Sequence, residues 1–65
     1  MATRATLVRD LKRHDCIKTA KYGKLEVYSV QEMMHDNRLV GYKIWYVNRN
    51  WPSLAGTRTT VHKYI

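Results

Sequence analysis

Beyond Asp36 this chain carries no further acid, while Arg38, Lys43, Arg49, Arg58 and Lys63 follow, interleaved with Tyr42, Trp45, Tyr46, Trp51 and Tyr64. Cationic side chains meet phosphate or carboxylate, and aromatic faces stack on bases or fill a partner's pockets. Such interleaving suits a polyanionic partner, of which nucleic acid is the commonest. The densest basic stretch lies earlier, at Lys12-Arg13 with Lys18, Lys21 and Lys24. The side chains expected along a phosphate backbone are Arg13, Lys18, Lys21, Lys43, Arg49 and Arg58, with Trp45 as a stacking platform.

Other chemistries find less support. His14, Cys16, His35 and His62 are the soft metal ligands, and only His14-x-Cys16 are close together. Structural zinc sites use tight pairs of ligands, so no metal is expected. Cys16 adjoins Ile17 in an apolar setting, where thiols are commonly buried and inert. The acids Asp10, Asp15, Glu26, Glu32 and Asp36 lack the spacing of metal-dependent phosphoryl chemistry. A chain this short has little room for a concave pocket. The reading is a non-enzyme with no cofactor.

At 65 residues and net charge +7, the chain is a single small domain, 1–65, whose folding hides only ~60% of the unfolded chain's surface. With Cys16 the lone cysteine there is no intrachain disulfide, which suits a reducing, cytoplasmic setting. No apolar run approaches the ~20 residues of a membrane span, and MATRATLVRDLKRHDC lacks the apolar centre of a signal peptide. A cytoplasmic protein with no membrane association is expected. Charge is uneven: residues 1–24 carry net +5, 25–42 net −2 and 43–65 net +4.

These residues must be positioned by strands. Tyr22-Gly23-Lys24 reads as a turn, and residues 24–32 are rich in strand formers whose alternation slips at Val27-Tyr28, as a bulge would make it do. His35-Asp36-Asn37-Arg38 is the next turn, before a strand over 39–48. On that strand Val40, Tyr42, Ile44 and Tyr46 share a face and are expected in the core with Leu25, Val27 and Val61. Residues 48–57 read as loop around Pro52 and Gly56, and 58–65 as a terminal strand. The first 13 residues fit either a helical face of Leu7, Val8 and Leu11, or a strand at Ala5–Val8 with a helical turn at 10–12; a strand near 15–20 follows. The fold class is mainly β: a small barrel or twisted antiparallel meander with a short N-terminal helical segment.

The succession Leu11-x-x-x-Asp15-x-Ile17, then Gly23-x-x-x-Val27-x-x-Val30, then Tyr42-x-Ile44-x-Tyr46 and Thr59-Thr60-Val61 resembles small SH3-like barrels. Arg13-His14 stands where such barrels usually carry a glycine. The resemblance spans nearly the whole chain and implies a binding module, since SH3-like barrels bind DNA, RNA, peptides or proteins. Compactness without enzyme motifs also resembles small bacteriophage proteins.

Two functions follow. One is a basic nucleic-acid-binding module whose cations track DNA or RNA phosphates. The other is an interaction module that docks on an acidic surface of a larger, host protein through Trp45, Trp51 and Leu54, with its basic ends steering encounter. Trp45 reads either as a ring packed under lysine and arginine stems or as a stacking platform. Trp51 reads equally as a partner anchor or as a cap on the open end of the fold. Monomer and homodimer are both compatible with the chain.

Overall fold

The computed structural model describes residues 2–65. Six strands, β1 (Thr3–Leu7), β2 (Cys16–Thr19), β3 (Gly23–His35), β4 (Arg38–Tyr46), β5 (Pro52–Ala55) and β6 (Thr60–Tyr64), form one antiparallel sheet. Its spatial order is β1-β6-β2-β3-β4-β5, and β1 and β5 are free edges, so the sheet is not closed into a barrel. The expected N-terminal helical segment is not shown. The helical geometry between β1 and β2 is confined to a 3-10 turn at Val8–Asp10, which buries Val8. No helix among the described residues is long and apolar enough to cross a membrane.

The longest strand, β3, serves two partners. Its first residues pair with β2, and Val27 onward pairs with β4. The division falls where the sequence alternation slips. Val27 faces Tyr46 and Ser29 faces Trp45, which leaves Tyr28 as the extra residue of a bulge. Bulges bend a strand and raise its twist, so one strand can run from one half of the sheet into the other. The loop before β2 docks here: the His14 amide donates to the Val27 carbonyl at 2.8 Å, and the Val27 amide donates to Asp15 at 2.7 Å.

The core comprises Val8, Leu11, Ile17, Leu25, Val27, Tyr42, Ile44 and Tyr46, with Val30, Leu39, Trp51, Ala55 and Val61 packed against it. Six of the seven residues expected there take part, Val61 among the partly buried ones. Val40 does not; it is 53% exposed. Met33 faces Gly41 while Met34 faces Leu39, so Val40 is the extra residue of a second bulge and leaves the inward face.

Residues 48–57, expected as loop, contain β5. Pro52 lacks the N–H of a ladder residue, but it is the first residue of a free-edge strand, where proline is tolerated. Tyr46 Oη–H donates to Ser53 Oγ at 2.8 Å and fastens the edge to β4. The Asp36-Asn37 turn joins His35 to Arg38 with φ of 52° and 62°, the two-residue geometry that matches strand twist.

Candidate nucleic-acid interface

The β2–β3 connection is three residues, Ala20, Lys21 and Tyr22, between the paired Thr19 and Gly23. Gly23 has φ +71°, which glycine adopts without strain. Thr19 Oγ1 accepts from the Tyr22 amide at 3.0 Å and donates to the Gly23 carbonyl at 2.8 Å. One threonine thus fixes the turn and leaves the Tyr22 ring exposed.

Around that ring the chain gathers residues from distant positions. Trp51 packs on Tyr22 with centroids 4.9 Å apart, and meets Tyr46 edge-on at 5.7 Å. The Lys21 ammonium is 5.4 Å from the Tyr22 centroid and the Arg49 guanidinium 5.8 Å. Arg49 reaches it because the chain reverses after β4: Asn48 has φ +64°, and the Arg49 amide turns back toward the Tyr46 carbonyl. Two more tyrosines carry cations. Arg13 lies over Tyr28 at 4.7 Å and Lys24 over Tyr64 at 5.6 Å. Aromatic faces attract cations electrostatically, so each ring holds a positive group beside an apolar surface.

The expected site residues fall into separate groups. Lys21 and Arg49 come together at Tyr22. Lys18 lies exposed on β2, opposite Lys24. Lys24 also lines a hollow with Cys16 and Arg49, which connects these two groups. Arg13 sits at the Tyr28 bulge. Arg58 is exposed in the turn between β5 and β6, where Gly56 and Thr59 bond to each other.

Lys43 and Trp45 belong to a different surface, on the outer face of β4 opposite Gln31 and Ser29 of β3 and Leu54 and Pro52 of β5. Trp45 is half-buried, and its Nε1–H donates to Gln31 Oε1 at 3.3 Å. Trp51 is half-buried between Tyr22 and Tyr46, as a cap on the core would be, whereas Leu54 is 70% exposed.

Sequence reasoning missed Tyr22 as the centre. The available signal was its place between Lys21 and Gly23, in a turn and next to a cation. It also passed over a cavity of about 670 Å³ between β1, the 3-10 turn and β6, lined by Arg4, Arg9, Lys12 and Lys63 with one acid, Asp10. Lys63 there is paired with Asp15 at 3.5 Å. Among the described residues no three His, Cys, Asp or Glu side chains gather as a metal site. His14 Nδ1 engages Glu26 Oε2 at 2.8 Å.

Comparison with known proteins gives no match: no family model fits the chain, and no curated protein or solved structure matches it.

Proposed function

We propose that this chain is a non-catalytic nucleic-acid-binding module, whose contact surface is centred on Tyr22 and extends through Lys21, Arg49, Lys24 and Lys18. The observation that carries the reading is the set of four cations resting on three tyrosine rings, two of them on exposed Tyr22. A nucleotide presents a flat base and a phosphate together. A ring with a cation beside it offers one contact for each, and base stacking on such rings is worth ~1–3 kcal/mol per base. Unpaired bases can reach these rings, so a single strand is the favoured form.

The SH3-like reading of the fold belongs to the same proposal. It is supported by the meander β2-β3-β4-β5 with β6 returning beside β2, and by the bent strand shared between two halves. His14 has φ +77°, a conformation that favours glycine, at the place where the resemblance leads one to expect glycine.

Fluorescence anisotropy with labelled single-stranded DNA, RNA and duplex DNA tests the function. Tight binding at low salt is expected, falling steeply as salt rises because neutralised phosphates release counterions. Tyr22→Ala should weaken it by about 5- to 100-fold, the loss of one stacked base. No binding to any nucleic acid at low salt would sink the reading.

One observation favours docking on a protein instead. Leu54 projects from the edge strand beside Lys43 and shares the outer face with Trp45 and Pro52. On that reading Leu54 and Trp45 are the anchors, and Trp51 is a structural support. A pull-down from cell lysate that depends on Leu54 while oligonucleotides fail to bind would favour it.

A further inference from the structure

Antiparallel neighbours directly opposite each other share a face, with Cβ atoms roughly 5 Å apart, and like charges so placed repel. Lys18 of β2 and Lys24 of β3 are such a pair. Their neighbours Ile17 and Leu25 are buried, so alternation turns both lysines to the outer face. On the other side of β2, Lys18 faces His62 of β6. The ion pairs among the described residues are His14–Glu26, His35–Asp36 and Lys63–Asp15, and neither Lys18 nor Lys24 takes part. The nearest outward acid on β3, Glu26, is committed to His14. The other basic cross-strand pair, Arg4 with Lys63, differs in that Asp15 answers Lys63.

Side chains from four strands surround the lysine pair. A hollow of about 320 Å³ is lined by Thr3, Lys18, Lys24 and Tyr64, with no carboxylate among them. Lys24 is exposed, with its ammonium 5.6 Å from the centroid of the Tyr64 ring. Two lysines directly opposite each other on a hollow that also offers hydroxyl-bearing residues match the needs of a compact phosphate oxyanion. Repulsion between the lysines is unfavourable in the free protein, and an anion seated between them would reverse its sign.

We propose that Lys18, Lys24, Tyr64 and Thr3 form a phosphate-binding site, distinct from the Tyr22 ring. The site takes a phosphate group. That the phosphate belongs to a nucleic-acid strand rests on the function proposed above; the anion chemistry does not.

Thermal melts of the full chain in low-salt buffer, with sodium phosphate compared against sodium chloride at equal ionic strength, test it. The wild-type protein should gain about 4 °C or more from phosphate over chloride once phosphate exceeds its dissociation constant several-fold. The Lys18→Gln/Lys24→Gln protein should lose that gain, yet melt above wild type in phosphate-free buffer, because the repulsion is gone. An equal phosphate gain in both proteins, or a variant that melts lower than wild type without phosphate, overturns the proposal. An NMR titration of the wild-type chain with inorganic phosphate gives a second reading that needs no variant. Shifts concentrated at Thr3, Lys18, Lys24 and Tyr64 support the site, and shifts spread evenly over all basic residues refute it.

Oligonucleotides with a 5′-phosphate and a 5′-hydroxyl separate the sources. Several-fold preference for the first assigns a terminal phosphate, and equal affinity, lost in the double variant, assigns an internal phosphodiester. A chain that responds to inorganic phosphate but binds no oligonucleotide ends the nucleic-acid function alone. One that binds oligonucleotides without a phosphate-specific shift ends this proposal alone.

Discussion

The half of the sheet built from β1, β6, β2 and the start of β3 sets like charges opposite each other, Lys18 against Lys24 and Arg4 against Lys63. The half built from the rest of β3, β4 and β5 sets Ser29 against Trp45, Gln31 against Lys43, and Lys43 against Leu54. The first half, with its loops, holds Arg4, Arg9, Lys12, Arg13, Lys18, Lys21, Lys24 and Lys63 against Asp10, Asp15 and Glu26. The second holds Arg38, Lys43, Arg49 and Arg58 against Glu32 and Asp36. Each half contributes to the same core, so burial does not separate them. What separates them is cross-strand electrostatics: like charges stand directly opposite each other in the first half and not in the second. The Tyr22 cluster lies at their junction, since Arg49 and Trp51 arrive from the second half and Lys21 and Tyr22 from the first.

If the shared core is what joins the halves, deleting part of it should abolish both. Ile44 is 2% exposed in the middle of β4. Ile44→Ala should cost ~2–5 kcal/mol through lost burial and a cavity. A domain this small has little stability in reserve, so loss of the cooperative thermal transition and of nucleic-acid binding together is expected. A wild-type melt would show that the second half does not rest on this face.

A milder change should disturb the second half alone. A Cβ on Gly41 would collide with the Ala55 carbonyl oxygen and press on the Met33 side chain. Backbone cannot yield as a flexible side chain can, so Gly41→Ala should loosen β5 from β4 at a cost of ~1–3 kcal/mol. Hydrogen exchange should quicken in β5 and the end of β4 while β2 and β6 keep their protection. Equal loss across all strands would mean the halves unfold as one unit.

Charge reversal sharpens the comparison where it concerns function. Lys21→Glu with Arg49→Glu, at Tyr22, should weaken single-strand binding tenfold or more and lower the salt slope, since each lost phosphate contact removes roughly 0.7 from it. Lys43→Glu, on the outer face of β4, should change affinity by less than about threefold. If the Lys43 change costs as much as the pair, binding follows net charge and no local surface exists.

Much of the second half was legible because its signals are local. Strict alternation marks Tyr42, Ile44 and Tyr46, the slip at Val27-Tyr28 marks a bulge, and Asp36-Asn37 marks the hairpin. Val40 was misread because its bulge depends on how Met33 and Met34 register across the strand, which alternation within β4 does not encode. β5 was misread because proline forbids a central strand but not the start of an edge, and edge position belongs to topology. At the site, basic character was legible in composition. The convergence of Lys21, Tyr22, Arg49 and Trp51 was not, because it joins residues nearly thirty positions apart through two turns.

The smallest effect tests whether strengthening the second half leaves the first untouched. Asp36 and Asn37 both adopt positive φ in the β3–β4 hairpin. Asparagine tolerates that region better than most residues, but glycine enters it with no Cβ contact, and Asn-Gly or Asp-Gly is the preferred pair in such turns. Asn37→Gly converts Asp36-Asn37 into Asp-Gly, and relief of the turn should outweigh the added freedom of glycine in the unfolded chain by about 0.5 kcal/mol. For a domain of this size that is a rise of roughly 2–4 °C in Tm. The turn lies at the far end of the β3–β4 hairpin from the β2–β3 turn that carries Tyr22, so oligonucleotide affinity should match wild type. A higher Tm with altered affinity would show that the hairpin end reaches the bound strand, and the binding surface would then have to include Arg38 and His35.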